Sequence, residues 1–136
     1  MLRFAYLAAI GLAAVAAAAA AQGARPALLD QLRPGSWTLH EIGSPAARRT
    51  ICVTDAASLL QVHHGAAQCA RFVVSSDQRT TTVSYTCAGQ GYGRTTLTAE
   101  SPTLVRIQTQ GLAQGAPFDM DYEARRDGIC VRSAKN

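Results

Sequence analysis

Two hydrophobic rhythms divide this chain. From Phe4 to Ala20 the residues form one apolar run dominated by alanine, with Met1-Leu2-Arg3 ahead of it and Ala19, Ala20 and Ala21 before Gln22. A basic start, an apolar stretch and an A-x-A type site are the layout of a secretory signal peptide, so residues 1–21 are expected to be removed. The apolar core of about 17 residues is short for a membrane span, and alanine inserts weakly, which favours cleavage over anchoring. Over residues 22–33 the period is helical: Pro26 suits a first turn, and Leu28, Leu29 and Leu32 share a face. A short N-terminal helix or linker is expected there, ending before Pro34-Gly35.

From Ser36 onward the period shortens to two. Trp37, Leu39 and Glu41 alternate with Ser36, Thr38, His40 and Ile42, and Arg49–Val53 returns as a second strand after Gly43-Ser44-Pro45. Thr54 to Val62 interrupts the β pattern with one or two helical turns, for which Thr54 or Asp55 is a competent N-cap. Five further β segments follow: Cys69–Val74, Thr80–Cys87, Arg94–Glu100, Thr103–Gln110 and Phe118–Arg126. The expected fold is mainly β, an antiparallel meander of about seven strands with one or two short helices, forming a curved sheet, sandwich or open barrel. In the last strands Leu97, Ala99, Val105, Ile107, Thr109, Phe118, Met120, Tyr122 and Ala124 would line one face. Arg94, Thr96, Thr98, Arg106, Gln108, Gln110, Asp119, Asp121, Glu123 and Arg125 would line a wet one.

Composition narrows the class. The chain carries a formal net charge of +4, with Lys135 its only lysine, and no arginine block longer than a pair. A nucleic-acid surface needs concentrated basic charge with aromatic stacking residues, and no such face is expected here. A processed chain of about 115 residues is one domain. Residues 34–131 are expected to form it, with 132–136 as a tail. A domain of this size gains noticeably from covalent cross-links.

Export assigns the four cysteines to disulfides. Three pairings are possible. If a hairpin is centred on Gln78, Cys69 stands opposite Cys87, Arg71 opposite Tyr85 and Val73 opposite Val83, which favours Cys69-Cys87 and leaves Cys52-Cys130. No C-x-x-C occurs, and the spacings match no standard zinc arrangement.

Several short pieces also occur in a recognisable order. Pro34-Gly35-Ser36-Trp37 opens the domain, Ile51-Cys52-Val53-Thr54-Asp55 precedes a short helix, and Cys69, Tyr85-Thr86-Cys87, a glycine-rich stretch and Gly128-Ile129-Cys130 follow. This order resembles the small exported bacterial proteins grouped as domain of unknown function 3617, over nearly the whole processed chain. The resemblance implies a periplasmic or secreted β-rich domain with paired cysteines and no established activity. Between Cys87 and Cys130 the chain lacks the Met- and Gly-rich repeats associated with that family.

Candidate chemistry is sparse. His63-His64, with His40 as a distant third, invites a metal, but neighbouring residues point apart, so a surface or loop-end role is expected and no metal site. Asp119, Asp121 and Glu123 place three carboxylates on one strand face about 7 Å apart, a stripe better suited to solvent than to closing round a hard cation. No G-x-S-x-G occurs, and Ser75-Ser76, Ser84 and Ser101 have no expected histidine neighbour. Gly89-Gln90-Gly91-Tyr92-Gly93-Arg94 precedes a strand, so a glycine-rich bulge is expected and not a phosphate cradle. The function expected is that of a non-enzymatic periplasmic or secreted protein. It would need no cofactor and would bind a small apolar ligand or an envelope protein partner. The rival is an envelope hydrolase using the Asp119, Asp121 and Glu123 stripe. A third possibility is an interaction module that adds a partner strand to an exposed sheet edge.

Overall fold

The computed structural model describes residues 24–45 and 48–131, so the signal segment expected over 1–21 and the tail expected over 132–136 lie outside the described residues. The N-terminal helix α1 is a single turn, Ala27–Gln31. The strands are β1 (Gly35–Glu41), β2 (Arg49–Val53), β3 (Cys69–Ser76), β4 (Thr80–Cys87), β5 (Gly91–Ser101), β6 (Leu104–Ala113) and β7 (Ala116–Gly128). All pair antiparallel in one open sheet with the order β2-β1-β7-β6-β5-β4-β3. Of the three forms left open by the sequence, the chain adopts the single sheet.

Only β3 to β7 form an uninterrupted meander. β1 docks on β7 and β2 on β1, which sends β2 and β3, neighbours in sequence, to opposite edges. Six strand spacings of about 4.8 Å separate those edges by about 29 Å along the sheet. Residues 54–68 make the crossing, and their central turns are a 3-10 helix, Ala56–Gln61, that packs over β5 and touches β2, β6 and α1.

That crossing explains the core. Leu59 and Leu60 from the 3-10 helix and Leu28 and Leu29 from α1 are buried against Trp37, Leu39, Val83, Leu97, Val105 and Ile107 of the sheet. The Trp37 indole satisfies its N–H by donating to the Arg33 carbonyl at 3.0 Å. Asp55 is the N-cap, its carboxylate accepting from the Ala57 amide at 2.9 Å. The Arg25 guanidinium also reaches Asp55, at 2.7 Å, and Asp30, at 2.8 Å, tying the chain ahead of α1 to both helical turns. First the Arg25 hydrogen bond and then the Ala57 amide hold the Asp55 carboxyl below the usual aspartate range.

The opposite face is wet, with the alternation that its sequence predicts. Arg106 stands opposite Glu123, Gln108 opposite Asp121 and Gln110 opposite Asp119. Both edges carry a cysteine. The sulfurs of Cys69 and Cys87 lie at disulfide distance with Cα atoms 4.1 Å apart, directly opposite each other between β3 and β4. Those of Cys52 and Cys130 do the same with Cα atoms 5.5 Å apart, fastening β2 to the segment after β7. Two such bonds belong to an oxidising compartment outside the cytoplasm. Among the described residues no helix is long and apolar enough to cross a membrane.

The two bonds close chain segments of 18 and 78 residues, so they differ in worth. Replacing Cys69 and Cys87 by serine should cost about 3 kcal/mol in a denaturant titration, and replacing Cys52 and Cys130 about 4 to 5 kcal/mol. Equal losses from the two pairs, or none, would contradict the loop-closure account.

Candidate functional site

The surface best formed for recognition lies along β3. Among the described residues this strand is a sheet edge, pairing only with β4, so its other side presents N–H and C=O groups that no described strand pairs. A register shift between Val73 and Ser75 breaks the alternation. Phe72 is 69% exposed and Val74 42% exposed. No proline or lysine guards the strand, and Arg71 is its one charged residue. The other edge, β2, is only five residues long and carries no comparably exposed aromatic.

Beneath the β3 edge runs a groove of about 660 Å³ between the sheet and the helical layer. Leu29, Ala57, Leu60, Val73 and Val83 give it an apolar floor, and Arg25 and Arg71 stand at its rim. Arg25 is neutralised by Asp30 and Asp55. Arg71 instead donates to the uncharged Gln61 side chain, Oε1 at 2.6 Å. Gln61 is itself buried and donates to the carbonyls of Gly65 and Ala67, so it fixes both this rim and the loop that carries the histidines.

That loop caps one end of the apolar face. There the register sets Tyr85 of β4 beside Gly93 of β5, Gly93 beside Gly111 of β6, and Gly111 beside Phe118 of β7. Two glycines between two aromatic residues leave a floor without side chains, over which the rings lie. A Cβ added at Gly93 would stand 2.4 Å from the Tyr85 hydroxyl, and one at Gly111 would stand 3.0 Å from the Phe118 ring. His64 fills the remaining space. Its Nε2 is 3.1 Å from the Leu112 carbonyl, which can only accept, so Nε2 carries a proton, and in the neutral ring Nδ1 accepts from the Tyr85 hydroxyl at 2.9 Å. Burial pushes the Tyr85 hydroxyl above the ordinary tyrosine range.

His64 is therefore buried at the end of this loop, and the surface role expected for it is corrected: a Cβ at Gly91 would stand 3.2 Å from its Nε2, so that glycine leaves the room the ring fills. Both its nitrogens are engaged inside the fold. His63 stacks on Phe118, ring centroids 4.1 Å apart, while His64 meets the same ring edge-on, and the His63 Nδ1 is buried and unpartnered. Loss of water, then the charges of Arg49 and His64, lowers the His63 pKa from the ordinary 6.5. His40 lies elsewhere, opposite Glu123 on β1. Among the described residues no group of three or more His, Cys, Asp or Glu side chains could hold a metal ion.

The remaining candidates fall on the wet face. Asp121 is gripped by Arg106 through two contacts, of which Nε to Oδ1 is 3.0 Å, and Glu123 lies 3.5 Å from Arg125. Asp119 has no ion-pair partner among the described residues. The stripe thus lies on an open sheet with two of its three carboxylates held by arginines. Ser75, Ser84 and Ser101 hydrogen-bond no histidine. The glycine-rich stretch is not bulged: Gly91 already pairs with both Cys87 and Ala113 as the first residue of β5. Gly91 serves the close approach of the Leu112 carbonyl and His64, and Gly93 that of Tyr85. The comparisons with protein-family models, curated proteins and solved structures yield no match.

Two tests follow from the cap. Gly93→Ala should displace Tyr85, unseat His64 and cost about 1 to 3 kcal/mol, measured by chemical unfolding. A stability equal to that of the native chain would contradict the packing. Because the His63 pKa is lowered on folding, the unfolded chain binds the extra proton more readily, so stability declines as pH falls below 6.5 and levels off under the folded-state value. His63→Gln should flatten that part of the stability-against-pH curve; an unaltered slope would contradict it.

Proposed function

We propose that this is an exported, non-enzymatic binding protein of the periplasm or extracellular space, which captures an extended segment of an envelope protein partner by strand addition to β3. The observation that carries this reading is the free β3 edge standing beside an apolar groove. Main-chain hydrogen bonds along an edge supply affinity, and a pocket for alternate side chains supplies specificity. The signal layout of residues 1–21 and the resemblance to domain of unknown function 3617 support the compartment, in line with the two disulfides.

A protein partner is favoured over a small apolar ligand. The apolar face of the sheet is filled by α1 and the 3-10 helix, and no barrel mouth opens among the described residues. An added strand would have three recognisable positions. An apolar side chain opposite Val73 would enter the groove floored by Leu29 and Leu60. A β-branched or aromatic side chain would lie against Phe72. An acidic side chain would pair with Arg71, whose hydrogen-bond partner is an uncharged amide.

A random-peptide library panned on the oxidised protein should enrich segments that alternate in this way, and bound peptide should slow amide exchange across residues 69–76. Phe72→Lys should abolish binding while leaving thermal stability unchanged, since that ring is 69% exposed. Enriched peptides without the alternation, or protection at a different strand, would reject strand addition at β3.

A further inference from the structure

The wet face is not uniform. Towards β1 its charges are spent on one another: Arg106 holds Asp121, and Arg125 lies against Glu123. Thr82 and Thr96 are also paired, at 2.8 Å. At the other end the register brings Thr86 beside Tyr92, and Ser84 beside Arg94, Gln110 and Asp119 in turn. These six side chains surround a depression of about 520 Å³ whose floor includes the backbone of Gly93 and Gly111. Among the described residues none of the six makes a side-chain hydrogen bond or ion pair, although five ion pairs form elsewhere among them.

The chemistry of the lining selects a ligand class. Tyr92, 55% exposed, offers an aromatic face. Arg94 and Asp119, on strands separated by β6, oppose each other in charge, so the depression attracts neither an anion nor a cation strongly. With Asp119 offsetting Arg94, and Asp121 and Glu123 paired with Arg106 and Arg125, this face presents no net positive charge for phosphate and hence for nucleic acid. An amide at Gln110 and hydroxyls at Ser84 and Thr86 add donors and acceptors close together. What suits an aromatic plate ringed by donors and acceptors of zero net charge is a neutral polyhydroxylated molecule with apolar ring faces. We infer that this depression is a binding site for an uncharged oligosaccharide, which stacks one sugar ring on Tyr92 and hydrogen-bonds its hydroxyls to Arg94, Gln110 and Asp119. The inference does not rest on strand addition at β3, because the depression lies on the sheet face and uses no free edge.

The test titrates isotope-labelled, oxidised protein with three neutral tetrasaccharides of N-acetylglucosamine, β-linked glucose and α-linked glucose, followed by amide shifts. At least one sugar should move the amides of Tyr92, Arg94, Gln110 and Asp119 at millimolar concentration. Tyr92→Ala and Asp119→Asn should each weaken that sugar about tenfold or more, with the melting temperature unchanged. Phe72→Lys, which removes the proposed peptide site, should leave sugar binding intact. Shifts absent with all three sugars, or shifts that survive both variants, would overturn the inference.

Discussion

The passage of residues 54–68 from one sheet edge to the other is the constraint on which the rest of this structure depends. Strands β2 and β3 follow each other in sequence yet sit at opposite ends of seven. The connection must therefore lie across a face of the sheet, and it lies across the apolar one. Leu59 and Leu60 thereby become the second layer of a core that a lone sheet could not close. Asp55 starts this connection with its cap and its contact to Arg25, and Gln61 finishes it by holding the loop beyond.

The crossing also decides where recognition can occur. Among the described residues the apolar face is already covered from within, so the surfaces they leave for partners are the edge and the wet face. The β3 edge gains its groove because the helical layer stops beside it, with Leu29 and Leu60 forming the floor. The Cys69–Cys87 bond holds the start of β3 to β4, which keeps that edge in a fixed register. The disulfides are thus part of how the edge is presented, as well as a source of stability.

Much of the β architecture is legible in the sequence because one face of the sheet is wet. Alternation over β5, β6 and β7 assigns Leu97, Val105, Ile107 and Ala124 inward and Arg94, Arg106, Asp119 and Glu123 outward, as the structure has them. The Cys69 to Cys87 pairing is as a hairpin centred on Gln78 predicts, but beside the turn Ser75 pairs with Thr82 and Ser76 with Thr81, and the bulge between Val73 and Ser75 that absorbs this one-residue shift is not legible. The crossing is not legible. Periodicity reports that residues 54–62 leave the β pattern, but nothing local states that β1 pairs with β7. The burial of His64 was hidden for a related reason. It depends on Gly91 leaving room for the ring and on the Tyr85 hydroxyl and the Leu112 carbonyl meeting its two nitrogens, a juxtaposition of three strands that appears only when their registers are combined. The exposed Phe72 gave the one local hint of the β3 surface, an aromatic on the side of the strand where alternation wants a polar residue.

Native-state hydrogen exchange tests most directly whether the crossing is an integral layer of the core. The account predicts that amides bonded within the crossing, Ser58 to Asp55 and His64 to Gln61, open with the same free energy as amides at the centre of β5 and β6. Exchange of the crossing at a much lower free energy, while β5 and β6 stay protected, would contradict it. The helical segment would then be a detachable lid, and the apolar face beneath it a surface open to ligands.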